Sequence, residues 1–165
     1  VLLGCATREN GVLRLMKALR HEAPNVTATA KRLGVDDEKT GLAYVMKTTH
    51  LQHGGKLSLA RILRGHITDG DTVQSSSGGS GRVSGIAVPN GGADGKRASA
   101  AAGETVSLGK LDPVHTGETL TTGKTTPAAL ADVVATPPVL ATALSALDRK
   151  DDVKLGQAIA TLKKD

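Results

Sequence analysis

GGKLSLARILRGHITDGDTV, residues 54–73, decides how this chain folds. Leu57 and Leu59, and less strictly Arg61 and Leu63, alternate with Ser58, Ala60 and Ile62. A two-residue period places alternate side chains on opposite faces of a strand. The TDGD turn at residues 68–71 then leads into a second extended stretch, TVQSSS (72–77). Working outward, LAYVMKTT (42–49), GRVSGIAVPN (81–90), RASAAAGETVSLGKL (97–111) and TGETL (116–120) repeat the theme. Short strands between Gly-rich turns, about 8–12 residues apart, point to a closed β-barrel or sandwich. SSSGGSG (75–81) reads as a hairpin tip, with a composition that also suits a flexible linker.

The flanks have another period. From about residue 11 to 22, Val12, Leu15, Met16 and Leu19 recur at helical spacing, with Arg14, Lys17 and His21 opposite. Asn10 is the expected N-cap and Pro24 the stop. The basic stripe could grip a phosphate backbone, but a solvated outer face is the simpler reading. NVTATAKRLGVDDEKTG (25–41) is polar and reads as a linker. Beyond the Pro-rich TPAALADVVATPP (126–138), VLATALSAL (139–147) reads as a strand and DRKDDVKLGQAIATLKK (148–164) as a helix. Its acids (Asp148, Asp151, Asp152) lie at the start, where they suit capping, and Lys163 and Lys164 at the end, as the helix dipole favours. One strand and one helix cannot enclose a core, so this looks like the opening of an α/β domain. The chain thus divides into 1–40, 41–124 and 125–165.

The chain has 165 residues, no Phe or Trp, and Tyr44 as its one aromatic, so its core must be aliphatic and its stability modest. Stacking of bases on aromatic platforms is disfavoured for the same reason. The formal net charge is +5, and the whole excess lies in residues 1–70. No apolar run approaches the roughly 18 residues that a bilayer span needs, so we expect a soluble protein without membrane contact. Cys5 is the only cysteine, which suits a reducing cytoplasm. The opening VLLGCATREN has neither an initiator Met nor a charged leader, as if taken from inside a longer protein.

Motifs that carry chemistry are sparse. GETLTTGKTT (117–126) imitates a phosphate-binding loop, but the required first glycine falls on Glu118, a carboxylate where phosphate charge should sit. The other Gly-Lys pairs, Gly55-Lys56, Gly95-Lys96 and Gly109-Lys110, lack the following Ser or Thr. His50 and His53 make an incomplete zinc set and read as exposed loop histidines. Cys5 has no neighbouring base and reads as a buried or partly buried inert thiol. No metal site and no catalytic residue are expected.

Two blocks nevertheless carry a family likeness. The first holds Gly55-Lys56 entering a strand, then Arg61-Ile62 and Gly65, then Gly70 at the turn. The second holds Ala102-Gly103-Glu104 and Thr116-Gly117-Glu118-Thr119-Leu120. Together, in this order and separation, they resemble the second domain of translational GTPases, most closely that of the elongation factor G family. GCATRENGVLRLMKALRHEAP (4–24) is similar to the end of that family's GTPase domain, with Cys5 in place of the usual serine of the guanine motif and Ala6 as the carried-over guanine contact. Residues 137–165 resemble the opening strand and helix of its third domain.

The resemblance implies a mainly β fold: a translation-factor domain II β-barrel flanked by an N-terminal helix from the GTPase domain and a C-terminal strand-helix. It implies a ribosome-dependent GTPase promoting translocation, whose barrel docks on small-subunit ribosomal RNA and relays the nucleotide state. Lys56, Arg61 and Arg64 are the RNA-binding candidates. GTP and magnesium belong to the parent protein; with no phosphate loop or switch regions, this chain by itself is expected to bind no cofactor and hydrolyse no GTP. The alternatives are a generic β-barrel binding protein or sugar, or the same barrel from a ribosomal-protection or release-type GTPase. The terminal apolar faces should pack on the barrel, on the parent's remaining domains, on another copy through self-association, or stay poorly ordered.

Overall fold

The alternating stretch forms β2 (Gly55–Arg64), antiparallel to β1 (Leu42–Leu51), and these two ten-residue strands are the spine of the molecule. The computed structural model describes residues 1–36, 39–51, 55–89, 95–130 and 136–163. The remaining strands are β3 (His66–Thr68), β4 (Thr72–Ser75), β5 (Ser80–Arg82), β6 (Ile86–Val88), β7 (Gly95–Arg97), β8 (Ser99–Ala101), β9 (Thr105–Gly109) and β10 (Thr119–Thr121). Eight form one antiparallel sheet in the order β5-β4-β10-β1-β2-β9-β6-β7, and β3 pairs with β8 as a separate ribbon. The architecture is mainly β, a curled half-barrel, as the sequence pattern anticipates.

Curling sets which face of β2 is inside. Lys56, Ser58, Ala60 and Ile62 are buried, while Leu57, Leu59 and Arg61 are half-buried. Small residues suit the narrow interior of a strongly curved sheet. Two register shifts disturb the pairing, one leaving Leu63 extra in β2 and one leaving Met46 extra in β1. Such bulges add bend and twist. They account for the consecutive buried Ile62 and Leu63 and the consecutive exposed Met46 and Lys47.

Residues 83–85 draw the two sides of the sheet together. The Val83 N–H donates to Asp71 O (2.9 Å), the Ser84 N–H to Gly109 O (3.1 Å), and the Gly109 N–H to Gly85 O (3.0 Å). Gly109 permits this approach, since a Cβ there would stand 2.4 Å from Ser84 O. Inside lies an aliphatic core including Val45, Ile62, Val73, Val83, Ile86, Val106, Leu108 and Leu120, completed by Ile67 and Ala100 of the ribbon. SSSGGSG is a hairpin tip, closed by Ser75 N–H to Gly79 O (2.7 Å) and Gly78 N–H to Ser75 O (2.9 Å).

Several flanking expectations need correction. Helix α1 (Val12–Glu22) forms, but its N-cap is Gly11; Asn10 is held in a two-way backbone bridge with Cys5. The helix ends at Ala23, whose extended backbone suits the residue before Pro24. The supposed linker contains α2 (Val26–Arg32), capped by the Asn25 carboxamide oxygen, which accepts from the Ala28 N–H at 2.8 Å. This helix buries Ala30 and packs on β2, so the segment before residue 41 adheres to the barrel.

At the other end, residues 139–147 form no strand, because among the described residues no strand lies beside them to receive their hydrogen bonds. Helix α3 (Asp152–Leu162) follows a short 3-10 turn (Arg149–Asp151). Neither Asp148 nor Asp151 makes a side-chain cap; they pair with Lys150 (2.9 Å) and Lys154 (2.8 Å). Lys164 lies outside the described residues. The apolar side chains of α1 stay largely uncovered, as do Val139, Leu140, Leu144, Leu147, Val153 and Leu162.

Candidate nucleic-acid interface

The three cations singled out from the sequence are held by the protein itself. Lys56 is 3% exposed, and its ammonium donates to Asp112 O at 3.1 Å. Arg61 is half-buried and donates to the Thr105 hydroxyl across the β2–β9 pair (3.1 Å). Arg64 ties β2 to the segment after α2, donating to Val35 O (2.7 Å), Thr40 O (2.9 Å) and the Thr40 hydroxyl (3.2 Å). These side chains hold the barrel together, and the strand alternation that draws attention to them is what turns Lys56 inward.

A different set of cations meets on the surface. Two adjoining grooves share Asp69, Ser84 and Lys110, one also lined by Lys96 and Arg97 and the other by Arg82. The bridging segment 83–85 creates them by bringing the β4–β5 hairpin beside the β6–β7 hairpin and the end of β9. Asp69 accepts from the Gly85 N–H at 2.8 Å, Arg82 donates Nε to Gly70 O at 3.0 Å, and Arg97 is paired with Glu104. Among the described residues, Lys96 and Lys110 have no ion-pair partner. Lys110 is a non-glycine residue at φ 60°, its amide anchored on Lys56 O (2.9 Å) and its side chain exposed between buried Gly109 and Leu111. Side chains seldom accept that conformation without cause.

Two of the Gly-Lys pairs that fail as a phosphate loop, Gly95-Lys96 and Gly109-Lys110, thus supply the ammoniums of these grooves. Charge counting by sequence region misses them because the cations come from strands far apart in the chain. The Gly-Lys repetition is the available signal.

Glu118 is 13% exposed; the Ser75 hydroxyl donates to one carboxylate oxygen and the His115 ring meets the other at 3.1 Å. Burial works against its charge, but the hydrogen bonds from Ser75, from the amide and ring of His115 and from Ser77 outweigh that and hold its pKa below the usual carboxylate value. This is no phosphate loop: no helix follows Gly123-Lys124-Thr125, and the Gly123 N–H is taken by the Thr121 hydroxyl (3.0 Å). The 117–126 stretch therefore lacks the turn of free backbone N–H groups that a phosphate loop needs. Among the described residues, no three His, Cys, Asp or Glu cluster as a metal set. His50 lies in β1 opposite Lys56, half-buried and not in a loop, while His53 is outside the described residues.

Cys5 is exposed, a correction to the buried or partly buried thiol expected; among the described residues, no other element covers its short surface turn. Hydrogen bonding to the Thr7 hydroxyl (3.3 Å) and then to the Arg8 amide lowers its thiol pKa from the usual value. Ala6 opens the 3-10 turn Ala6–Arg8 and is also exposed. No helix of the described residues is long and apolar enough to cross a membrane.

A curled antiparallel half-barrel with a cationic groove defines a β-barrel-type module. Comparison with known proteins gives two likenesses. Over 164 residues, 98% of this chain, the sequence is 35% identical to the elongation factor G-like protein of Synechocystis. A crystal structure from Thermus thermophilus superposes with a TM-score of 0.73 at 28% identity, covering 96% of this chain. No family model matches the sequence. The chain is thus similar to one stretch of an elongation factor G-like protein, and it spans 23% of the length of the curated relative and of the solved chain alike.

Proposed function

We propose that the chain is the ribosome-contacting barrel of an elongation factor G-like GTPase of the cytoplasm, acting in translation elongation at the translocation step. In this reading the groove of Arg82, Lys96 and Lys110 rests on the phosphate backbone of small-subunit ribosomal RNA, and the barrel relays the nucleotide state of the longer protein. The observation that carries it is the 35% identity with the elongation factor G-like protein along almost the whole chain. Unpaired ammoniums on a shared groove, with no aromatic residue lining it, suit a backbone contact better than base stacking. GTP and magnesium are held elsewhere in the longer protein, and the chain alone hydrolyses no GTP.

Co-sedimentation with small ribosomal subunits tests this. Binding is expected at low salt and falls steeply towards about 200 mM, because released counterions carry the affinity. A Lys96→Gln, Lys110→Gln double variant should bind about tenfold more weakly, with a salt slope reduced by about 1 for each phosphate no longer neutralised. Absence of binding at low salt, or a double variant indistinguishable from wild type, would overturn the assignment of this groove to RNA.

A further inference from the structure

Lys56 presents an imbalance that the RNA-facing groove does not absorb. Its ammonium is almost completely buried, yet it donates to one carbonyl only, Asp112 O, and among the described residues no carboxylate lies within ion-pair distance. Burying a charge without a counter-charge is unfavourable. The groups around it do not remedy this. Lys56, His50 and His115 line one cavity of about 360 Å³ with Asp112 and with Lys163 from the end of α3. The space is several times the ~30 Å³ that one water occupies in the liquid.

We propose that this cavity binds a phosphate group. Two N–H bonds of Lys56 have no acceptor among the described residues, and a second ammonium and two imidazoles converge on the same space from three other parts of the chain. Of the two rings, His115 already spends Nδ1 on Glu118, which fixes its orientation beside Lys56 and Lys163. Donors arriving from several directions match a tetrahedral anion, whose oxygens point several ways, better than a planar carboxylate. A phosphate seated here neutralises the buried ammonium and links the ends of β1 and β2 to the loop between β9 and β10. The site is separate from the Arg82, Lys96 and Lys110 groove and does not depend on that groove's role.

Titrating orthophosphate into the 165-residue chain at constant ionic strength, followed by amide NMR and thermal unfolding, tests the site. Resonances of His50, Lys56, Asp112 and His115 should shift in a saturable way, and Tm should rise with phosphate concentration as ligand linkage requires. Lys56→Met should weaken binding at least tenfold. In case that buried change harms folding, the more exposed His115→Asn and Lys163→Ala should each weaken it at least threefold with strand resonances preserved. A Tm rise no greater than sodium chloride gives, or His115 and Lys163 variants that bind like wild type, would overturn the proposal. A short single-stranded RNA that displaces orthophosphate identifies a backbone phosphodiester as the natural source, and one that does not identifies free phosphate. The Lys96→Gln, Lys110→Gln variant should retain orthophosphate binding, which separates this site from the RNA groove.

Discussion

Glu118 joins more of the fold than any other single carboxylate described above. Its two carboxylate oxygens tie the β4–β5 hairpin, through Ser75, to the loop before β10, through His115. Its own carbonyl accepts from the Val45 N–H at 2.9 Å. Replacing it with Gln keeps the shape but removes the charge that these donors favour, and should cost about 1–3 kcal/mol in denaturant unfolding. The pH dependence follows from the lowered pKa. The unfolded chain titrates at the ordinary value of 4.5, so the contribution is complete above that value and is lost as pH falls through the lower value of the folded state. Wild type minus Glu118→Gln should therefore shrink below pH 4.5, and a difference constant down to about pH 2 would contradict the role given to this carboxylate. The sequence shows Gly117 as a turn, which φ 90° bears out, and Thr119-Leu120 as the return to strand. It could not show the partner of Glu118, because Ser75 lies 43 residues away and no short-range pattern links them.

Among the elements, the strands are the most legible, since period-two alternation and glycine-marked turns act over a few residues. Lys56, Arg61 and Arg64 are visible as cations on a strand, but their orientation is not, because curvature and bulges decide which face of β2 turns inward. The opposite mismatch occurs at residues 139–147, where an apolar run looks like a strand but pairing depends on a neighbour that the run does not contain. Helix α2 leaves little trace in the sequence because its inward positions, Val26, Thr29 and Ala30, span one turn and include a polar hydroxyl, which makes a weak apolar period. Its start signal is nevertheless present at Asn25. Removing that cap with Asn25→Ala should cost about 1 kcal/mol, read as a lower midpoint in urea. Because α2 rests on β2, hydrogen exchange should also quicken across Val26–Arg32 while the amides of β1 and β2 keep their protection. Unchanged exchange in α2 would mean that packing, not the cap, holds the helix.

Across the whole molecule, the distribution of apolar surface is uneven. The barrel encloses an aliphatic core, whereas Leu13 is 85% exposed and Met16 and Leu19 share its uncovered helix. Such a face is a contiguous apolar patch of the kind that binds other apolar surface. The consequence is measurable on the chain alone. A dye that fluoresces in apolar surroundings should bind it under native conditions, although its sheet is intact. Leu13→Glu with Leu19→Glu keeps good helix-forming residues in α1 and should lower that signal severalfold. Because neither side chain belongs to the barrel core, the unfolding free energy of the sheet should change by no more than about 0.5 kcal/mol. Undiminished dye binding would locate the accessible apolar surface elsewhere, on the segment from Val139 to Leu162. A large loss of sheet stability would instead mean that α1 is coupled to the barrel more tightly than its exposure implies.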